Sequence, residues 1–276
     1  MKNKYLVTTD LDETLLDSNS RILDESISFI QSFINDGNHF LINTGRPHQS
    51  AINFLKMMGV HEPMICSNGS AIVTYSDDYT TIKDYILFAI EHDLMKSFLK
   101  EIKPFVYGLV LNTIKNVYSY DFSKVPCWVV HESDLVKKVR GDVEEIFQGD
   151  VLSVECYIPN EHLEEFKKIF SKEKYTSSFF TIFWGCYDNI NSFEIHARSA
   201  TKGKALLYME KYYDIPHENT FAFGDSLNDL PMLQDAHYGV AMINAREDVI
   251  AQTSYITKKD NNHNGVISFV QDIIKK

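Results

Sequence analysis

Apolar residues in the first quarter of the chain alternate between a pattern typical of buried strands and one typical of amphipathic helices. Three short apolar runs, at residues 5–9, 39–43 and 63–66, predict strands. Between them, apolar residues recur at helical spacing, with Pro47 beginning the second helix: Leu23, Ile27, Ile30 and Ile34 before Gly37, then Ala51, Phe54, Leu55 and Met58 before Gly59. Strands and helices in this order predict a parallel sheet with right-handed crossovers.

The pattern changes between residues 84 and 196. Strand-like runs at 106–111, 151–158, 179–184 and 192–196 are mixed with helix-like segments at 91–102, 133–147 and 161–170. The pair Asp188-Asn189 is typical of a hairpin turn, which favours an antiparallel or mixed sheet with helices on one face. We therefore predict a second, smaller α+β domain over residues 84–196, inserted into the first.

The α/β pattern returns after Ser199. Lys202 and Gly203 begin a predicted helix, and residues 220–224 and 238–242 form two further apolar strands before a terminal helix that starts near Val266. The first domain is thus predicted to comprise residues 1–83 and 197–276.

Composition limits the partners that we expect. The chain has 276 residues and a formal net charge of −11, which argues against nucleic acid or an anionic membrane surface as a partner. No apolar run approaches the roughly 18 residues needed to span a bilayer. We expect a cytoplasmic protein without a signal peptide, because the first strand begins within a few residues. The four cysteines form no CxxC pair, which indicates structural thiols: Cys66, Cys127, Cys156 and Cys186.

Two carboxylates follow the first predicted strand directly. Asp10 and Asp12 are two residues apart, so in an extended segment both face one small volume, with Thr14 just beyond. Carboxylates so close repel each other unless a cation lies between them or one is protonated. Oxygen-only ligands suit Mg2+, and an aspartate can also act as a nucleophile. An acidic turn that caps a helix is the alternative interpretation.

Other polar clusters follow the later strands, at the sheet edge where open α/β folds bind ligands. They are Thr44-Gly45-Arg46, Lys202, and Gly224-Asp225 with Asn228-Asp229. Each has a function if the reaction is phosphoryl transfer, which needs positioning, charge neutralisation and an in-line nucleophile. In this hypothesis Asp10 attacks phosphorus and Asp12 is the general acid and base.

Taken together, the motifs closely resemble those of the haloacid dehalogenase superfamily of phosphatases. The resemblance includes DxDxT at residues 10–14, the threonine at position 44, the later lysine at 202 and GDxxND at 224–229. Thr-Gly-Arg at 44–46, Ser-Asn-Gly at 67–69 and an insertion between the second and third motifs resemble the Cof-type branch. The resemblance covers the whole chain, as far as residues 262–265.

The resemblance implies an α/β fold, with a Rossmann-like parallel-sheet core and an inserted α+β cap domain that selects the substrate. It implies a Mg2+-dependent phosphatase that acts on small phosphorylated metabolites, sugar phosphates first, through an aspartyl-phosphate. Pyridoxal phosphate, FMN and nucleotides stay open as substrates. The implied catalytic residues are Asp10 and Asp12, the metal site is Asp10, Asp12, Asp225 and Asp229, and the phosphate- or substrate-binding residues are Thr44, Gly45, Arg46, Lys202 and Asn228.

Four alternatives use the same scaffold. A phospho-accepting switch or regulatory protein needs neither a cap nor Asp12, so the presence of both argues against it. Asp12 also argues against a dehalogenase, which has no leaving oxygen to protonate. A phosphomutase stays open, and the complete set of motifs argues against a binding protein that has lost catalysis. Residues 184–188 are our candidates for contact with the leaving group, whereas we interpret His196 and Arg198 as ordinary domain-junction residues.

Overall fold

The structure, a computed structural model, describes residues 4–120, 137–140 and 149–274. Within them the strands are β1 (Leu6–Thr9), β2 (His39–Ile42), β3 (Met64–Cys66), β4 (Ala71–Tyr75), β5 (Ile82–Leu87), β6 (Gly108–Thr113), β7 (Asn116–Tyr120), β8 (Lys137–Arg140), β9 (Val151–Pro159), β10 (Phe179–Tyr187), β11 (Ile190–Ala197), β12 (Thr220–Gly224), β13 (Tyr238–Ala241) and β14 (Tyr255–Ile256). The α-helices are α1 (Asp24–Asn35), α2 (His48–Met58), α3 (His92–Ile102), α4 (Leu163–Phe170), α5 (Glu173–Thr176), α6 (Lys202–Tyr212), α7 (Leu230–Asp235), α8 (Glu247–Ile250) and α9 (Gly265–Ile274).

The chain folds as two compact units, whose boundaries lie between Ile86 and Leu87 and between Ala200 and Thr201. The first unit contains a five-stranded sheet in the order β14-β13-β12-β1-β2, in which all neighbours are parallel. β1 lies between β12 and β2 and is fully buried, as are the paired residues Phe221 and Phe40. Strands buried on both faces need continuous apolar runs, which is why the sequence predicted them. The predicted α/β fold with a Rossmann-like core is confirmed.

The third predicted strand, β3, departs from the prediction. It touches the parallel sheet through one bridge, between Asn43 and Ile65, and pairs antiparallel with β4 in a separate three-stranded sheet, β3-β4-β5. The reason is the turn after β3, where residues 67, 68 and 69 all have positive φ, at 49°, 56° and 91°. This turn sends the chain back beside β3, so β4 and β5 replace the continuation that the apolar pattern predicted.

The second unit contains a six-stranded mixed sheet in the order β10-β11-β9-β6-β7-β8. Its neighbours are antiparallel except for β7 and β8. One apolar core contains Phe98 of α3, Phe166 of α4 and Ile195 of β11, which shows that helices cover one face of this sheet. Asp188 and Asn189 have φ of 49° and 64° and form the predicted two-residue turn between β10 and β11.

The helix predicted over residues 133–147 is wrong at residues 137–140, which form β8 and pair parallel with β7. Pairing with a neighbouring strand overrides a weak local helical pattern here. The rest of that prediction lies outside the described residues. The strand β7 itself was not predicted.

The remaining sequence predictions concern membranes and cysteines. Within the described residues, no helix has both the length and the apolar character that a membrane span requires. Cys66 and Cys156 are buried and Cys186 is exposed, and all three are free thiols. Cys127 lies outside the described residues.

Candidate active site

The site begins where the buried inner strand β1 ends. The Asp10 N–H still donates to the Phe223 carbonyl oxygen at 3.0 Å, so this residue is fixed to the neighbouring strand β12. The chain then turns sharply, with Glu13 in the left-handed region at φ 52°. The Thr14 hydroxyl donates to Asp225 Oδ1 at 3.0 Å. The turn is therefore tied at both ends to the strand that carries the second acidic cluster.

Lys202 reaches this turn from the start of α6. Thr201 precedes the helix and its side-chain oxygen accepts the Lys204 N–H at 3.1 Å, which caps the first turn. The fully buried Lys202 ammonium donates to Asp10 Oδ1 at 2.8 Å and to Asp229 Oδ1 at 2.5 Å. Burial alone would lower the pKa of Lys202, but Asp10 and Asp229 raise that pKa above its ordinary value. Lys202 is a fixed positive charge between two carboxylates.

The loop after β12 supplies the other carboxylates. Asp229 is fully buried, and its Oδ2 accepts the backbone N–H groups of Asp225 and Ser226, each at 2.9 Å. A Cβ at Gly224 would lie 2.4 Å from the Asp229 Cβ, so a side chain at this position would displace Asp229. Glycine at position 224 is thus required for the close approach of the loop to the strand end.

Three carboxylates converge beside this lysine. Asp10, Asp225 and Asp229 each offer an oxygen, and these atoms all lie within 4.8 Å of one another. Burial raises the pKa of Asp10 to about 7, against the opposing charge of Lys202. Burial, and then the charge of Asp229, raise the pKa of Asp225 to about 6. Because one lysine does not balance three carboxylates, this all-oxygen donor set fits a hard divalent cation such as Mg2+.

Thr44 lies in the loop that follows β2, and its side chain is buried. The Thr44 N–H donates to the Ile65 carbonyl oxygen at 3.0 Å, and the Asn68 N–H donates to the Thr44 carbonyl oxygen at 3.1 Å. Asn228 Nδ2 donates to Asn68 Oδ1 at 2.9 Å, and a Cβ at Gly45 would lie 3.0 Å from that same oxygen. The structure thus brings together Thr44, Gly45 and Asn228.

Asn68 joins this group although it was not predicted as a site residue. The sequence marked it only as part of Ser-Asn-Gly. The signal in the sequence was the residue type, because asparagine before glycine tolerates the left-handed region in tight turns, and Asn68 has a φ of 56°.

Arg46 and Asp12 form a separate pair. Arg46 Nε donates to Asp12 Oδ2 at 2.8 Å, and Nη2 donates to Oδ1 at 2.5 Å. The Asp12 side chain is half-exposed, and its carboxylate is not among the three that converge. Arg46 therefore contacts the predicted acid and base, and a role for Asp12 as a metal ligand stays a prediction.

The candidates in the second unit have ordinary structural partners. His196 is fully buried, with Nε2 3.2 Å from Glu194 Oε1. Arg198 donates to the carbonyl oxygens of Thr176 and Phe179, at 2.8 and 3.0 Å. Trp184 is 47% exposed, so its ring is accessible within this unit. The contacts of His196 and Arg198 are those expected of structural residues.

Comparisons with known proteins give a family. A family model described as haloacid dehalogenase-like hydrolase matches residues 7–270. One curated relative is the 5-amino-6-(5-phospho-D-ribitylamino)uracil phosphatase YitU of Bacillus subtilis (strain 168), which is 26% identical over 97% of each chain. Phosphatase YwpJ of the same organism is 25% identical over 98% of this chain and 99% of the relative.

Solved structures show the same fold. TM0651 from Thermotoga maritima superposes with a TM-score of 0.75 at 23% identity, over 98% of this chain and 97% of that one. The subclass IIB sugar phosphatase BT4131 superposes with a TM-score of 0.71 at 22% identity, over 98% of this chain and 99% of that one. At these identities the likeness establishes the fold of the chain.

Proposed function

This chain belongs to the haloacid dehalogenase-like hydrolase family, and from that premise we propose that it is a Mg2+-dependent phosphatase that acts on small phosphate monoesters. The observation that carries the proposal is the buried Lys202, which joins Asp10 to Asp229 beside a third carboxylate. A structural ion pair needs neither three carboxylates nor a position at the end of a buried inner strand of the parallel sheet.

We propose Asp10 as the nucleophile. One of its carboxylate oxygens attacks phosphorus while the bond from phosphorus to the leaving oxygen breaks, which produces an aspartyl-phosphate. Asp12 donates a proton to the leaving oxygen, then takes one from the water that attacks the aspartyl-phosphate. Inorganic phosphate leaves, and the Asp10 carboxylate is restored.

The remaining site residues position and neutralise the phosphoryl group in this proposal. Lys202 contributes a charge that is already in place, so no reorganisation is needed as negative charge develops. Thr44 and Asn228 are the proposed ligands of the phosphate oxygens. Both residues are polar, and both are hydrogen-bonded to Asn68. Asp10, Asp225 and Asp229 would hold Mg2+, which supplies charge neutralisation between the nucleophile and the anionic substrate.

Sugar phosphates or sugar-alcohol phosphates are the proposed substrate class. The relative YitU of Bacillus subtilis is named as a phosphatase of a phosphorylated ribitylamino compound, and the structural neighbour BT4131 is named as a sugar phosphatase. We assign the choice of substrate to the inserted unit between Leu87 and Ala200, with residues 184–188 as the candidate contact.

A screen of phosphate monoesters tests this function. Purified protein is incubated with sugar phosphates, sugar-alcohol phosphates, pyridoxal phosphate, FMN and nucleotides, with Mg2+ or with excess chelator, and inorganic phosphate is measured. We expect Mg2+-dependent release from at least one sugar or sugar-alcohol phosphate, and none from the variant Asp10→Asn. Isomerisation of a sugar phosphate without phosphate release would show a mutase and contradict the proposal.

A further inference from the structure

Arg46 and Asp12 are joined by a two-point contact. Both oxygens of one carboxylate accept hydrogen bonds from one guanidinium, at 2.8 and 2.5 Å. This two-point geometry fixes direction as well as distance, unlike contact with a single charged atom. Among the described residues, Arg46 supplies all the hydrogen bonds that the Asp12 side chain makes.

Arg46 is itself held in place by its surroundings. Its guanidinium carbon lies 5.3 Å from the centre of the Phe54 ring, close enough for a cation–π contact. The Arg46 N–H donates to Thr44 Oγ1 at 3.1 Å, and its carbonyl oxygen accepts the Ser67 N–H at 2.9 Å. The arginine is thus fixed at its backbone and at its head group, whereas Asp12 lies on a half-exposed turn.

From this geometry we infer that Arg46 is the positioning residue of Asp12, and that it holds the general acid and base of the reaction by both carboxylate oxygens. The inference rests on the proposed function, because it assigns Asp12 the proton transfers. It departs from the expectation that Arg46 binds the phosphate or the substrate directly. Its physical basis is that a catalytic group displaced by about 1 Å loses on the order of 100-fold in rate.

The two roles for Arg46 predict different kinetics. A phosphate-binding arginine contributes to substrate binding whatever residue occupies position 12, so its loss raises KM in every background. A positioning arginine acts through Asp12, so its loss lowers kcat and has no further effect once Asp12 cannot transfer protons. The test is therefore a double-mutant cycle between Arg46→Gln and Asp12→Asn.

The assay uses the full chain with Mg2+ and two substrates. β-Glycerophosphate has an alkoxide leaving group that needs a proton, whereas p-nitrophenyl phosphate has a leaving group that needs none. Arg46→Lys retains the charge but cannot form the two-point contact. Arg246→Gln is the matched control, because Arg246 makes an equivalent two-point contact with Asp248, at 2.9 and 2.8 Å, through an exposed side chain.

We expect Arg46→Gln to lower kcat on β-glycerophosphate by about 10- to 100-fold, with a smaller loss on p-nitrophenyl phosphate. Arg46→Lys should resemble Arg46→Gln in kcat, and Arg246→Gln should retain wild-type rates. In the Asp12→Asn background, Arg46→Gln should cause no further loss in phosphoenzyme formation from p-nitrophenyl phosphate.

Two results separate failure of this inference from failure of the proposed function. If the wild type is active but the Arg46→Gln and Asp12→Asn losses multiply, or Arg46→Gln raises KM alone, Arg46 does not act through Asp12 and the inference is overturned. If the wild type and Arg246→Gln release no phosphate from either substrate with Mg2+, the proposed function fails, and the inference fails with it.

Discussion

Replacing the proposed nucleophile should stabilise the metal-free protein at neutral and alkaline pH. Asp10 has an ordinary pKa of 3.8, and burial raises its pKa in the folded protein to about 7. A folded state that holds a proton more tightly than the unfolded chain loses stability as pH rises between these two values. Above pH 7 the loss is complete, and asparagine, which carries no charge, avoids it.

The pKa shift sets an upper limit on the gain. Raising a pKa from 3.8 to about 7 corresponds to on the order of 4 kcal/mol of unfolding free energy. Asparagine does not reproduce every contact of a protonated aspartate with Lys202, so we expect a net gain of about 1 to 3 kcal/mol at pH 8. At pH 5 the folded wild type carries a protonated Asp10, and the difference should shrink towards zero.

Urea unfolding in excess chelator measures the unfolding free energies of the wild type and of Asp10→Asn at pH 8 and at pH 5. Asp17→Asn is the control of opposite sign, because the backbone N–H groups of Arg21 and Asn19 hold the pKa of Asp17 below its ordinary value. That variant should lose stability at pH 8. If Asp10→Asn were less stable than the wild type at pH 8, or differed from it equally at both pH values, the electrostatic reasoning would be wrong.

Three further predictions concern the metal, the turn after β3 and the inserted unit. Chelator should abolish phosphate release and Mg2+ restore it, whereas Ca2+ should restore it poorly because its looser coordination misplaces the nucleophile; activity in chelator contradicts this. Gly69→Ala should destabilise the protein by more than about 2 kcal/mol in urea unfolding, because a Cβ would lie 2.3 Å from the Thr201 carbonyl oxygen at φ +91°; an unchanged midpoint would refute it. Alanine at Trp184 or Tyr187 should change kcat/KM unequally among substrates but spare p-nitrophenyl phosphate, and a uniform loss would show that the inserted unit carries chemistry.

The positions of the acidic clusters could be predicted because strand ends in a parallel sheet are strongly marked. The run before Asp10 is apolar and fully buried, and it ends abruptly in polar residues, as does the run before Asp225. Parallel strands meet at one edge through their carboxyl ends, so polar residues distant in sequence are brought together there. The convergence of Asp10, Lys202 and Asp229 follows from that topology.

The partners of individual side chains could not be predicted in the same way. A guanidinium suits a carboxylate and a phosphate equally well, so the sequence indicated an anion for Arg46 but not which one. The hydrogen bond between Asn68 and Asn228 joins two loops 160 residues apart. Such contacts depend on turn geometry, which local sequence patterns do not determine.

The sequence also failed to predict short strands whose formation depends on pairing with a neighbouring strand. Residues 137–140 carry a weak helical pattern, yet they pair beside β7. β4 forms because the turn at residues 67–69 reverses the chain, and no strong period marks it in the sequence. Tertiary pairing outweighs local preference in such segments.

The central claim is that Asp10 carries the phosphoryl group, and trapping of the phosphoenzyme tests it most directly. The protein is mixed with Mg2+ and phosphorus-labelled p-nitrophenyl phosphate, quenched in acid on the millisecond scale, digested and analysed by mass spectrometry. We expect a hydroxylamine-sensitive label on the peptide that contains Asp10, increased accumulation in Asp12→Asn, which cannot activate water, and none in Asp10→Asn. Turnover without any labelled protein, or normal phosphate release by Asp10→Asn, would contradict the account.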